Sequence, residues 1–355
     1  MDEKHEAMFY EDLPGGKVKC FLCPRYCQIA PGKAGYCGVR ENDGGKLYSL
    51  IYGKASSVAV DPIEKKPLFH FHPGSSVLSL GTWGCNMRCI HCQNWQISHA
   101  VMVEGMEQGK VYNIQAENRT EYISPERLME LAEETGAKGI AFTYNEPTIW
   151  FEYAYDCFKL AKQRGLYTAF ITNGYITAEA LDIIIPYLDA YRVDIKGFTN
   201  TFYKKLAQVS DFQPILRAAV QAKKTHNVHV ECITLIIPHW NDDEKQLRDM
   251  AKWIKENLGA ETPWHVTRFV PYLELKDLHL TPVETLEWAR KIGMEEGLKY
   301  VYIGNVPGHE GENTHCPKCK NILIQRMGYE ITVNNLKGKT CGNCGEKIDI
   351  IGRIS

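Results

Sequence analysis

"GCNMRCIHCQNW", residues Gly84–Trp95, places three cysteines, Cys85, Cys89 and Cys92, within eight positions. Four thiolates saturate a structural zinc ion or an ordinary iron–sulfur cluster. Three thiolates on a cubane of four irons leave one iron without a protein ligand, open to an external chelator such as the amine and carboxylate of an amino acid. Gaps of three and then two residues let one loop wrap around three corners of such a cluster. The bland alternative is a zinc site whose fourth ligand is His91 or His99.

The stretch sits in a chain of 355 residues with 44% hydrophobic content, enough for one large domain plus something small. A formal net charge of −2 gives no sign of the lysine and arginine excess that tracking nucleic acid needs. No run approaches the ~18 apolar residues of a membrane span. The start, MDEKHEAMFYEDL, lacks the apolar segment of a secretory signal. The expectation is a cytoplasmic protein that binds neither nucleic acid nor membrane, in which clustered cysteines read as metal ligands before disulfides.

Outward from the loop, from about Val77, short apolar strands alternate with amphipathic helices. Strands are expected at Val77–Leu80, Gly139–Tyr144, Tyr167–Thr172, Tyr191–Ile195, His229–Ile236, Trp264–Phe269 and Tyr300–Ile303. Between them, SPERLMELAEETG opens with Ser124 as N-cap and stops at Gly136, and NDDEKQLRDMAKWIKENLG stops at Gly259. Repeated β-then-α units imply a parallel sheet wrapped by helices. Polar residues fall just after strands: Cys85, Glu146, Asn173, Lys196, Asn241, Pro271 and Asn305. Parallel α/β barrels build their active sites at that C-terminal face. The fold expectation is therefore α/β, a partial parallel (β/α)6-type TIM-like barrel over residues 73–308.

Two further cysteine groups flank it. Cys316-x2-Cys319 and Cys341-x2-Cys344 are two knuckles around a β-like stretch, the pattern of a zinc ribbon, with rubredoxin-like iron as the rival. They belong to an expected C-terminal domain, 309–355, too small to hold itself without a staple. Cys20, Cys23, Cys27 and Cys37 form a second possible four-ligand site in a Cys-rich N-terminal domain, 1–72. Zinc is the preferred metal there and an auxiliary iron–sulfur cluster the alternative. Cys157 and Cys232 read as small buried hydrophobes.

The Cys85-x3-Cys89-x2-Cys92 spacing resembles the signature of the radical S-adenosylmethionine (SAM) enzymes, and CNMRCIHCQN looks most like the pyruvate formate-lyase activating enzyme branch. YNEPT (144–148) stands where that family's Gly-Gly-Glu-Pro motif falls, ITNGY (171–175) resembles the segment after its third strand, and VDIKG (193–197) its Asp-Leu-Lys motif. IIPHWNDDE and RFVPY match two more segments. The whole-chain pattern, with KKPLFHFHPG, GLKYVYIGNVPG and ENTHCPKC, resembles the radical SAM member of the AmmeMemoRadiSam system.

The resemblance implies a [4Fe–4S] cluster on Cys85, Cys89 and Cys92 and SAM as co-substrate. It implies His91 near the adenine and Glu146 on the methionine amine, with Asn145 adding a polar contact. Asn173 would lie near the ribose or carboxylate, and Asp194 and Lys196 beside the bound SAM. His265 and Arg268, on the sixth expected strand, are candidates to face the bound molecules, with a satisfied core histidine as the plain alternative. The implied activity is reductive cleavage of SAM to a 5′-deoxyadenosyl radical that takes hydrogen from an unidentified substrate. A flavodoxin- or ferredoxin-type electron donor follows from it, and the resemblance adds Memo-like and AmmeCR-like proteins as partners. The alternatives are an activase for a glycyl-radical enzyme and, from a different class, a structural zinc protein with a binding ribbon. Leu273 stands where activating enzymes often carry a histidine, which separates this chain from their substrate.

Overall fold

The computed structural model describes residues 4–100, 120–225 and 228–352. Its centre is an eight-stranded sheet: β1 (Ser57–Pro62), β2 (Ser76–Gly81), β3 (Gly139–Phe142), β4 (Tyr167–Thr172), β5 (Ala190–Asp194), β6 (His229–Ile236), β7 (Trp264–Arg268) and β8 (Val301–Gly304). The last seven are the expected strands, each within two residues of the reading from sequence, and they pair parallel in chain order. β1 adds an antiparallel edge on β2, with Leu78 opposite Val60.

Chain order in the sheet has a consequence. Each β–α–β crossover steps the same way, and with the right-handed crossover that L-residues favour, the helices collect on one face. The helix that follows β6 is α1 (Glu244–Leu258). Asp243 caps its start by accepting the Gln246 amide at 3.0 Å, and Gly259, at φ 102°, ends it. Residues alternate across β6 as a pleat requires. Val230, Cys232 and Ile236 join Leu247, Met250 and Ile254 of α1 in the main core, while Glu231 turns to the other face. Cys157 and Cys232 are fully buried in that core, in keeping with their reading as small hydrophobes.

The other face is filled at the strand starts. Leu68 and Phe71 pack with Val77, Tyr167 and Ile171, and Phe69 packs with Tyr300 and Tyr302. Leu323, Ile324, Ile348 and Ile350 from the C-terminal segment join the same cluster. His70 is locked there, Nδ1 to the Asp349 carbonyl at 2.8 Å and Nε2 to the Tyr302 hydroxyl at 2.6 Å. The Ile351 amide donates to the His70 carbonyl, and the Arg326 guanidinium donates to that of Phe69. The C-terminal cysteines thus sit beyond one end of the sheet, and the polar loops emerge at the other.

Residues 5–49 form a four-stranded and a three-stranded antiparallel sheet. Val18, Leu22, Ile29, Val39 and Leu47 merge into the main core. Arg40, buried, donates twice to the equally buried Glu152 at 2.8 and 3.0 Å. Breaking such a pair from one side costs about 3–5 kcal/mol, so this contact ties the N-terminal region firmly to the central fold. Among the described residues no helix is long and apolar enough to cross a membrane.

Candidate functional site

The loop after β2 has almost no regular structure, so its backbone needs partners from elsewhere. Arg88, between two of the cysteines and itself buried, supplies them. It donates to the carbonyls of Cys85 (2.9 Å), Ser98 (3.1 Å) and Tyr36 (3.0 Å). Asn145 clips the loop from the neighbouring strand end, its Oδ1 accepting the Thr82 amide and its Nδ2 donating to the Gly84 carbonyl at 2.8 Å. Gly84 has φ 84°, and a Cβ there would lie 2.6 Å from the Cys37 carbonyl. No side chain fits. Tyr144, where the related motif has glycine, holds φ 70°. Its hydroxyl donates to Asp61 and its carbonyl accepts from Asn94 at 2.6 Å. A non-glycine residue in that region costs of order 1–3 kcal/mol, and such strain gathers at functional sites.

The sulfurs have polar company. Cys85 Sγ accepts from the Met87 amide at 3.4 Å and from Asn173 Nδ2 at 3.7 Å, and Cys92 Sγ lies 3.1 Å from the Ser98 hydroxyl. Asn173 also donates to Asn86 Oδ1 at 2.9 Å, and Asn86 donates to the Tyr175 carbonyl. Glu146 is buried and fully engaged. Oε1 accepts from the Thr148 amide and the Thr172 hydroxyl, and Oε2 from the Asn173 amide at 2.7 Å. Lys196 pairs with Asp194 at 2.6 Å, and Arg192 closes on the other oxygen of that carboxylate.

Burial pushes the Cys85 thiol up, and the Glu146 carboxylate beside it adds to the effect. Burial lifts Cys89 to about 11, with the nearby Lys196 ammonium opposing. Such sulfurs stay protonated until a metal displaces the proton. Burial drives His91 down to about 3, helped by Lys196 and His99, so its ring is neutral. Its Nδ1 is buried without a hydrogen-bond partner. An orphaned donor or acceptor beside three clustered cysteines suits contact with a bound molecule.

The structure therefore brings together Cys85, Cys89, Cys92, His91, Asn145, Glu146, Asn173, Asp194 and Lys196. It does not bring in His265 or Arg268. His265 donates or accepts at 2.6 Å with Glu231, whose other contacts are the amides of Phe69 and His70 and the His229 ring. It is a satisfied core histidine. Arg268 donates through Nε to the Thr281 carbonyl at 2.8 Å and its carbonyl accepts from Asn305, and neither bond reaches any of those nine residues. Sequence reasoning overlooked Arg88, Asn86 and Ser98. The available signal was a lone arginine inside a loop whose neighbours are all candidate buried ligands.

At the other end, Cys316, Cys319, Cys341 and Cys344 hold their sulfurs within 4.8 Å of one another, with two pairs at 3.6 Å. A tetrahedron of about 2.3 Å metal–sulfur bonds spaces its sulfurs about 3.8 Å apart, so this group fits a single ion. Among the described residues it is the group that does so. Among the described residues, the Cys85 loop, even with His91 and His99, makes no such compact set.

The sequence of residues 80–251 matches the radical SAM superfamily, and the chain belongs to it. The match covers the cysteine loop, Glu146, Asn173, Asp194 and Lys196 and leaves both flanking cysteine groups outside. The family is one of enzymes that use a [4Fe–4S] cluster and SAM. Across nearly its whole length the chain is 47% identical to the uncharacterized protein MJ0808 of Methanocaldococcus jannaschii, covering 98% of this chain and 99% of that one. It is 23% identical over 197 residues to the pyruvate formate-lyase 1-activating enzyme of Escherichia coli K12, 54% of this chain and 72% of that one. The activating enzyme of Clostridium pasteurianum is 26% identical over 61% of this chain and 87% of that one. Among solved structures, a domain of pyruvate-formate lyase-activating enzyme from Bacteroides vulgatus superposes with a TM-score of 0.40 at 18% identity, over 48% of this chain and all of that domain.

Proposed function

We propose that Cys85, Cys89 and Cys92 hold a [4Fe–4S] cluster and that His91, Asn145, Glu146, Asn173, Asp194 and Lys196 form the surrounding site for SAM. When bound, that pair supplies one-electron reductive cleavage of SAM to a 5′-deoxyadenosyl radical, which takes a hydrogen atom from a substrate not yet identified. The chain's own part is physical. Arg88 and Asn145 fix the backbone of the loop that carries the three sulfurs. The Met87 amide, Asn173 and Ser98 place hydrogen-bond donors at sulfur, one means by which a protein tunes a cluster's potential. Glu146 keeps the Asn173 amide and hydroxyl of Thr172 oriented at the strand ends, and burial of the loop's first half, residues 84–89, keeps water from that side. Lys196 holds positive charge where a carboxylate would bind.

The observation that carries this reading is three cysteines of one loop, Cys85 and Cys89 buried and Cys92 half-buried, set in polar company beside the orphaned His91 nitrogen. A low-potential flavodoxin- or ferredoxin-type protein would supply the electron. Further parts of the reading are the partial barrel over 73–308 with flanking domains 1–72 and 309–355, a metal at the C-terminal group, cytoplasmic residence, and Memo-like and AmmeCR-like partners. A second reading, an activase installing a glycyl radical, is favoured by the activating enzymes among the relatives at 23–26% identity. Anaerobic reconstitution with iron and sulfide, then dithionite and SAM, should yield 5′-deoxyadenosine. A cluster-loaded sample that forms none sinks the proposal. Transfer of a radical to a candidate glycyl-radical protein, seen by electron paramagnetic resonance, separates activase from small-molecule enzyme.

A further inference from the structure

Cys20, Cys23, Cys27 and Cys37 line one small, nearly apolar cavity together with Leu22, Ile29 and Asn86. Their arrangement differs from that of the C-terminal four. The latter already sit at single-ion spacing, whereas among the described residues no such compact group forms from the N-terminal sulfurs. Four cysteines around a space, rather than in mutual contact, suit a group that shares the sulfurs among more than one iron.

A backbone amide reaches a sulfur in each of the three cysteine groups. The Cys85 sulfur takes the amide two residues on, from Met87. In the N-terminal group, Cys27 accepts from the Tyr36 amide at 3.5 Å. In the C-terminal group, Cys316 takes the amide three residues on, from Cys319.

The two sites also touch. Asn86, the residue after Cys85, lines the N-terminal cavity, and its carbonyl accepts from Arg25 at 2.7 Å. Gly84, the residue before Cys85, lies against the Cys37 carbonyl. Cys20 and Cys37 are buried, while Cys23 and Cys27 are only half-buried, with the exposed Tyr26 between them. One side of the cavity thus faces the Cys85 loop and the other approaches solvent.

We infer that the four N-terminal cysteines bind a second, polynuclear iron–sulfur cluster, and that it relays single electrons from a low-potential flavodoxin- or ferredoxin-type donor to the cluster on the Cys85 loop. Each relay step takes in one electron and gives up one; no bond is made or broken. The cluster assignment stands on its own geometry, and the relay rests on the function proposed above.

Acid-labile sulfide decides the assignment, because a mononuclear zinc or iron site contains none. After anaerobic reconstitution, the variant Cys85→Ala/Cys89→Ala/Cys92→Ala should keep about two to four sulfides per chain, the content of a [2Fe–2S] or [4Fe–4S] cluster. Retention of none, with two zinc ions per chain, overturns it. The wild-type protein gives a second reading: once reduced, two clusters this close should show a spin-coupled resonance, and a single uncoupled signal would speak against the second cluster. For the relay, Cys20→Ser/Cys27→Ser should still cleave SAM with dithionite and lose at least about tenfold with reduced flavodoxin. Equal rates with both reductants overturn the relay. If wild-type protein cleaves no SAM under either reductant, the enzyme reading fails while the sulfide count still judges the second cluster.

Discussion

The loop at Cys85 and the knuckles at Cys316 and Cys341 use the same ligand atom and fold in opposite ways. In the knuckles the sulfurs lie within 4.8 Å of one another, and the surroundings are apolar: Leu323, Ile324, Ile348 and Tyr302. Nothing beyond one metal ion is needed to complete them. In the loop the three sulfurs stand apart, and a shell of amides, hydroxyls and buried ions is aimed at them. Convergence of polar groups on sulfurs that do not saturate one another marks a site for chemistry, whereas mutual saturation within an apolar cluster marks a staple.

Removing a sulfur should break the two regions differently. Cys89→Ala should lower 5′-deoxyadenosine formation by more than about a hundredfold, the upper end of what loss of even a supporting residue costs a metal site. Its thermal unfolding and its C-terminal metal content should change little. Cys341→Ser should do the reverse, losing one metal ion per chain and about 3–5 kcal/mol, seen as an earlier calorimetric transition. That is less than the ~10–16 kcal/mol of metal binding that folds an isolated zinc finger, because Phe69, Tyr302 and the Ile351–His70 pairing also hold this segment. If Cys341→Ser abolished SAM cleavage with its fold intact, the division into staple and site would be wrong.

A subtler test addresses the clip. Asn145→Ala removes hydrogen bonds to Thr82 and Gly84, leaving a buried amide and carbonyl unpaired. The expected cost is about 1–3 kcal/mol, with a lower iron content after reconstitution and no change in C-terminal metal. An Asn145→Ala protein that takes up a full cluster would show that Arg88 alone organises the loop.

Much of this was legible in the sequence. Strand periodicity, the Ser124 cap and the Gly259 stop depend on neighbours within a few positions, and each stands where expected. Glu146 and Asn173 were found through the motifs they sit in. His265 was misplaced because a histidine on a strand faces either chemistry or a buried carboxylate, and Glu231, 34 positions away, decided it. The same holds for Arg88 and Tyr36, joined across 52 positions. Long-range polar pairing leaves no periodic trace, so the loop's supports were invisible where its cysteines were plain.

Acidification gives the smallest effect, and a single variant isolates the share of it that belongs to the staple end. Burial holds His70 down to about 3, against an ordinary value near 6.5, so the folded protein keeps the ring neutral where the unfolded chain would protonate it. A depressed histidine favours the fold above the unfolded value and ceases to do so as pH falls below it. Between about pH 6.5 and 5, His70 should therefore remove about 1.4 kcal/mol of stability per pH unit. His70→Gln should flatten the pH dependence of the unfolding midpoint by that amount, at some cost in stability at pH 7.5 from the altered contacts to Asp349 and Tyr302. His91, held equally low, belongs to the other end, and a bound molecule that takes up its free nitrogen should deepen its resistance to protonation. If the His70→Gln protein kept the full acid slope, the pH response would have to originate at the loop, and the two ends of the sheet would be less independent than their packing implies.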